Sequence, residues 1–208
     1  MDNILGIKDS VIAGEDELVV ELVKQALDTG IAVSTIVNEG LIGAMNVVGS
    51  KMATWEMYVP EVLMSAAAMQ VGLEFLKPLL KEGDVTSRGK VVIGTVQGDL
   101  HDIGKNLVAM MLESSGFEVI NLGVDQSAEN FLQAAKDHQP DIIGLSALLT
   151  TTMPNIRENV RLLREAGIKA KIIVGGAPVT ADFATKIGAD GYASDAAGAV
   201  ALVKQLLS

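Results

Sequence analysis

The 208-residue sequence has no cysteine, which excludes a disulfide scaffold, a cysteine zinc site, an iron–sulfur cluster and a catalytic thiol. Histidine is nearly absent too, with only His101 and His138. Aromatic residues are 3% of the chain, too few to build a stacking platform for single-stranded nucleic acid. Basic residues are outnumbered, 16 Lys+Arg against 26 Asp+Glu for a formal charge of −10. Such a surface repels phosphate, so nucleic acid is not an expected partner. Long hydrophobic runs are also missing: despite a mean hydropathy of +0.37, charge, glycine or proline breaks each run before the roughly 18 residues a bilayer needs. The N-terminus lacks the basic, apolar and cleavage regions of a signal peptide. A cytoplasmic protein with no membrane partner is expected. What is present is a 49% apolar content, incompatible with disorder and ample for one large domain or two small ones.

The two parts of the chain follow different patterns. Residues 1–88 read as helix. Leu18, Leu22 and Ala26, with Val19, Val23 and Leu27, recur four apart before Gly30 as a stop. A second stretch from Ser34 carries Ile36, Val37, Leu41, Ala44, Met45 and Val48. A third opens at Pro60, a favourable first helical position, and runs to about Leu80. A four-helix bundle with a charge of −7, from 6 basic and 13 acidic residues, is expected here. The methionines Met45, Met52, Met57, Met64 and Met69 read as filler between helices, and Ala66–Ala68 as a close-packing face. The polar, glycine-bounded stretch 81–89 reads as a linker, with the domain boundary at 88/89. Beyond it, short apolar runs at Val91–Val96, Phe117–Leu122, Asp141–Ser146, Lys171–Val174 and Gly191–Ala193 alternate with amphipathic stretches near 104–115, 127–138, 155–166, 179–187 and 195–207. Five βα units predict a Rossmann-like (flavodoxin-like) doubly wound parallel five-stranded sheet over 89–208. The whole chain is then α/β, a helical bundle followed by that sheet.

Ligands bind such sheets at the carboxyl ends of the strands. The first βα loop, Gln97–Gly104, is neither G-x-G-x-x-G nor a Walker A, because five residues separate Gly98 from Gly104 and Asn106 follows Lys105. It carries His101 with Asp99 two residues before it, close enough to accept the proton of the ring nitrogen facing away from a ligand. That arrangement fixes the tautomer and raises the basicity of a metal-binding imidazole; a loop histidine held by local hydrogen bonds fits the residues equally well. The third loop offers Ser146, Leu148, Thr150, Thr151 and Thr152, which alone read as loop and cap chemistry. The fourth, Gly175-Gly176-Ala177, alone reads as a turn. His138 reads as a helix-terminus residue. A phosphoacceptor receiver domain would need an aspartate at the end of the third strand, where Ser146 stands.

Taken together, Asp99-x-His101-x-x-Gly104, then 41 residues, Ser146-x-Leu148, then 26 residues, Gly175-Gly176 resembles the signature of cobalamin-binding domains. The stretches Gly43–Gly49 and Tyr58–Met69 resemble the bundle that precedes this domain in corrinoid methyl carriers. The resemblance spans nearly the whole chain and extends to the cobalamin-binding module of methionine synthase.

It implies a base-off, His-on corrinoid (cobalamin or a relative), with His101 as axial cobalt ligand, Asp99 hydrogen-bonded to it and Ser146 extending the relay. Gly104, Leu148, Gly175 and Gly176 line the slot for the nucleotide tail, and Asp102, Ile103 and Ala177 are further cofactor-binding residues. Thr150, Thr151, Tyr192, Ala193 and Asp195 contact the tail or corrin edge, and the bundle caps the upper face near Met57, Val59 and Leu63. The implied function is methyl carriage between Co(I) and methyl-Co(III). A substrate-specific methyltransferase donates, a second methyltransferase delivers to a thiol or tetrahydropterin, and a reductive activator rescues Co(II). The bundle swings aside on the 81–89 linker. The alternatives are the cobalamin subunit of a carbon-skeleton mutase, which usually lacks such a bundle, and a cobalamin sensor, which needs a DNA-binding module.

Overall fold

The computed structural model describes residues 2–79 and 87–208. The chain divides into two compact units, Met1–Ser87 with Glu113–Gly116, and Arg88–Leu112 with Phe117–Ser208. Residues 80–86, the larger part of the expected linker, lie outside the described residues.

The first unit is built from α1 (Asp2–Ala13), α2 (Asp16–Asp28), a short α3 (Val33–Thr35), a π-helical stretch Ile36–Leu41, α4 (Ile42–Ala53) and α5 (Val59–Leu76). Fully buried Ile7, Val11, Val19, Val23, Ile36, Val48, Val62 and Leu76 supply its core. Glu61 starts α5 by accepting the Tyr58 N–H at 2.8 Å, with Pro60 in the first turn. A Cβ on Gly72 would lie 2.8 Å from Val19 Cγ1 and 3.0 Å from Leu41 Cδ2, so the missing side chain lets α5 sit close to α2. The stretch Val59–Leu79 is, by length and composition alone, long and apolar enough to cross a membrane, contrary to the run-by-run reading. Val62, Ala66, Ala68, Met69 and Leu76 of it are nevertheless buried, the packing of a core helix. Of the methionines read as filler, Met45, Met57 and Met69 are buried, whereas Met64 is exposed.

The second unit is a five-stranded parallel sheet of order β2-β1-β3-β4-β5. Its strands are β1 (Lys90–Thr95), β2 (Glu118–Asn121), β3 (Ile142–Ser146), β4 (Lys171–Gly175) and β5 (Gly191–Ala193). The connecting and terminal helices are α6 (Ile103–Glu113), α7 (Ala128–His138), α8 (Met153–Glu165), α9 (Ala181–Ile187) and α10 (Ala196–Leu206). Alternation divides the sheet into two faces. Val92, Ile143, Leu145, Ile172 and Val174 pack with Phe131 of α7, Ile156, Val160 and Leu163 of α8 and Ala184 of α9. Val91, Ile93, Ile142 and Ile173 are buried on the opposite face. The helices start on side-chain caps where polar residues permit: Ser127 Oγ accepts from Asn130 N, Thr180 Oγ1 from Phe183 N and Asp195 Oδ1 from Gly198 N. The order reverses between β1 and β3, which puts the crevice of an open sheet at the loops following those two strands.

Candidate corrinoid site

The loop between β1 and α6 is tied down along its length. Gln97 O accepts from Asn155 Nδ2 at 2.7 Å, Gly98 N donates to Asp125 Oδ1 at 2.7 Å, and Thr95 Oγ1 donates to His101 O at 2.9 Å. Asp99 O accepts from Asp125 N at 3.0 Å. Asp99 itself is completely buried, while the His101 side chain is 50% exposed.

The two carboxylate oxygens of Asp99 have separate duties. Oδ1 lies 2.7 Å from His101 Nδ1 and accepts the His101 backbone N–H at 3.1 Å. Oδ2 accepts from Leu148 N at 2.8 Å, Leu149 N at 3.2 Å and Thr152 Oγ1 at 2.7 Å, all from the loop after β3. Burial alone would raise the pKa of this group. The Thr152 hydroxyl, the Leu148 N–H and the two His101 contacts outweigh it and hold Asp99 well below the ordinary carboxylate range. The carboxylate therefore stays charged at neutral pH and holds the ring proton at Nδ1. Nε2 has no hydrogen-bond partner among the described residues and keeps its lone pair.

The neighbouring cluster anchors the start of α6. Lys105 is buried, and its Nζ donates to Asn106 Oδ1 at 2.6 Å and Asn121 Oδ1 at 2.8 Å. Asn106 Nδ2 in turn donates to Asp102 Oδ2 at 3.0 Å. Burial lowers the pKa of Lys105, with Asp102 opposing.

Asp99 and His101 meet as the sequence predicts. The hydroxyl of Ser146 differs: it is not among the partners of Asp99, and Thr152 fills that place instead. Asp102, Ile103 and Gly104 are exposed at the start of α6, and Leu148, Thr150 and Thr151 are exposed on the loop after β3. Gly175 and Gly176 have a reason of their own to be glycine. A Cβ on Gly176, whose φ is +117°, would fall 1.8 Å from Ala147 O, and one on Gly175 would fall 3.1 Å from Ala193 O. The missing side chains let the loops after β3 and β4 lie against each other, with Ala147 N donating to Gly175 O at 3.2 Å. Ala177 is exposed just beyond. Tyr192 and Ala193 lie in β5 with Tyr192 against the core. Both oxygens of Asp195 are engaged, by Gly198 N at 2.8 Å and Ser194 Oγ at 3.0 Å. On the helical unit Met57 is buried, whereas Val59 and Leu63 are exposed, as are Trp55, Tyr58 and Met64.

The sequence reading passed over Thr152 as a ligand of Asp99 and Lys105 as a buried anchor. Thr152 immediately before an amphipathic helix reads locally as a cap, and nothing local points to a carboxylate 53 residues away.

Residues 89–201 match the model of the B12 binding domain family, and residues 5–77 match a second family model, also described as a B12 binding domain. Dimethylamine corrinoid protein 1 of Methanosarcina acetivorans is 46% identical over 204 residues, covering 97% of this chain and 92% of that protein. Trimethylamine corrinoid protein 1 of the same organism is 42% identical, covering 96% and 94%. Among solved structures, a chain of the methanol:cobalamin methyltransferase complex MtaBC from Methanosarcina barkeri superposes with a TM-score of 0.90 at 33% identity, covering 99% of this chain and 80% of that one. The chain belongs to the B12-binding family of corrinoid proteins.

The residues fit the group that this family implies. Among the described residues no cluster of three or more His, Asp or Glu is placed to hold a metal ion. His101 would offer the cobalt of a corrinoid an exposed imidazole nitrogen whose partner nitrogen is held by a buried carboxylate. A Cβ on Gly104 would meet nothing within 4 Å, leaving open space at the start of α6. Leu100, Ile103, Leu148 and Leu149 expose apolar surface on the same two loops.

Proposed function

We propose that this chain is a cytoplasmic methyl carrier that binds its corrinoid base-off and His-on, and shuttles between a substrate-specific methyltransferase and a second methyltransferase acting on a thiol or tetrahydropterin. The observation that carries the reading is the buried Asp99 carboxylate on Nδ1 of a half-exposed His101. When bound, the corrinoid supplies a cobalt centre able to take up and give away a methyl group. The chain supplies the rest. His101 Nε2 offers the lower axial donor, Asp99 Oδ1 keeps the proton at Nδ1, and the loop after β3 keeps Asp99 in place. A proton delivered to Nε2 would remove that lone pair, so ligation at His101 is coupled to proton uptake.

Methylated amines are the favoured donors. Relatives named for dimethylamine and trimethylamine are 41–48% identical. On the helical unit Val59, Leu63 and Trp55 expose apolar surface. A separate reductive activator restores oxidised cobalt, because the chain has no cysteine and hence no thiol couple. Asp102, Ile103, Gly104 and Leu148 border the nucleotide tail. Thr150, Thr151, Ala177, Tyr192, Ala193 and Asp195 lie toward the tail or the corrin edge.

The test is paramagnetic resonance of the Co(II) protein, wild type against His101→Ala. Hyperfine coupling to histidine nitrogen, lost in the variant, is expected. Retained benzimidazole coupling in the wild type would overturn the His-on reading, and failure to bind any corrinoid would overturn the function.

A further inference from the structure

We propose that Thr152 is a positioning residue for His101, fixing the Asp99 carboxylate from the side opposite the imidazole in the role that the sequence assigns to Ser146. The inference rests on His101 being the lower ligand and deepens that reading.

Thr152 occupies the N-cap position of α8, where a threonine hydroxyl normally accepts a backbone N–H from the first turn. Here it makes no such bond. Pro154, second in the helix, has no N–H to offer, and the N–H of Asn155 goes to the Thr152 carbonyl at 3.0 Å. The hydroxyl is thereby released from capping. It is buried, at 5% exposure, and has a single proton with two acceptors in reach: Asp99 Oδ2 at 2.7 Å and Leu149 O at 2.9 Å. Leu149 O already accepts the Thr152 backbone N–H at 3.1 Å. The charged oxygen is the stronger acceptor, so the proton belongs to Asp99.

Its position makes that bond directional. Oδ2 is then held by Leu148 N, Leu149 N and Thr152 Oγ1, of which the hydroxyl is the shortest contact. With Oδ2 pinned, the carboxylate plane cannot turn, and Oδ1 stays on Nδ1 of His101. Without the hydroxyl only two main-chain donors remain, one of them at 3.2 Å. Ser146 is bound to this region through its main chain, its carbonyl accepting from Val96 N at 3.0 Å, while among the described residues its hydroxyl makes no bond to Asp99.

The experiment compares Thr152→Val, Thr152→Ser and Ser146→Ala. In corrinoid-free protein, nitrogen-15 spectra at one mildly alkaline pH report the tautomer of His101, with His138 at the end of α7 as internal reference. Wild type should hold the proton at Nδ1. Thr152→Val should mix the tautomers, Thr152→Ser should restore wild type, and Ser146→Ala should shift the ring signals less than Thr152→Val. In protein loaded with hydroxocobalamin, Thr152→Val should bind about tenfold more weakly, as expected for loss of one hydrogen bond to a charged group, and serine should recover it. Should the valine variant not fold, Thr152→Ala against Thr152→Ser decides the same question. An unchanged His101 tautomer in Thr152→Val, a larger shift in Ser146→Ala, or a folded serine variant that fails to restore the signal would each overturn the proposal. If loaded wild type shows no histidine coupling to Co(II), the lower-ligand reading fails, and the corrinoid-free spectra still decide what Thr152 does to the ring.

Discussion

Gly104 and Gly176 flank the same site, yet alanine at each should change the stability of corrinoid-free protein in opposite directions. At Gly176 the backbone has φ +117° and an added Cβ would sit 1.8 Å from Ala147 O. Relief to ordinary contact requires the two loops to part by about 1.5 Å, which breaks the Ala147 N to Gly175 O bond, a loss of about 1 kcal/mol. The disallowed φ adds about 1–3 kcal/mol. The sum is about 3 kcal/mol, or a fall in Tm of about 10 °C for a unit of this size. At Gly104 the backbone is helical and the Cβ meets nothing within 4 Å. Alanine there should stabilise by about 0.5–1 kcal/mol through helix propensity, while occupying open space at the start of α6. Thermal and urea unfolding of corrinoid-free protein, paired with hydroxocobalamin titration, separate the two. Gly176→Ala should be less stable before any ligand is added. Gly104→Ala should be as stable as wild type or more so, and bind more weakly. If Gly176→Ala unfolds within about 1 kcal/mol of wild type and fails only in binding, the glycine serves the cofactor alone and the loop-contact reasoning is wrong.

Two further outcomes follow from the buried charges. Because the pKa of Asp99 is depressed in the folded chain, its contribution to stability is complete above the ordinary carboxylate range and is lost as pH falls through the depressed value. Asp99→Asn should thus be less stable than wild type at neutral pH by about 2–4 kcal/mol, because its amide nitrogen cannot accept the bonds now made to one of the two oxygens and the charge is lost from the rest, and the gap should close in strong acid; a constant gap from neutral pH to strong acid would contradict this. Lys105→Met should cost about 1 kcal/mol by removing one donor each from the Asn106 and Asn121 oxygens, which keep Asn121 Nδ2 and Gly123 N, and should raise amide exchange in the first turn of α6. Exchange unchanged there would show that the lysine does not anchor the helix.

The strands were legible because a parallel sheet covered on both faces demands apolar residues without a break. Val91–Val96 and Asp141–Ser146 differ from β1 and β3 by a single residue at one or both ends. Helix α1 was less so: its sequence mixes Lys8, Asp9 and Ser10 among the apolar residues, and burial of Ile7 and Val11 comes from tertiary packing rather than a clean period. The site divided the same way. Asp99 and His101, two apart on one loop, form a pair that local chemistry anticipates. Thr152 belongs to the pattern of a helix start, and only the fold brings it to a carboxylate on another strand's loop. For Gly175 and Gly176 the residue type was informative while the reason was not, because close approach to Ala193 O at the first and to the Ala147 backbone at the second leaves no mark in the sequence around either position.

The loop that carries His101 is secured at Gln97, Gly98, Asp99 and His101 by partners on three other segments. Its ordering therefore belongs to folding and not to ligand capture. A corrinoid meets a preorganised donor whose conformational entropy has already been surrendered, so affinity loses little to rearrangement of this loop. If the corrinoid binds base-off and His-on as proposed, association should be governed by how quickly the cofactor sheds its own lower base and reaches the nitrogen, and scarcely by motion of the protein segment that receives it.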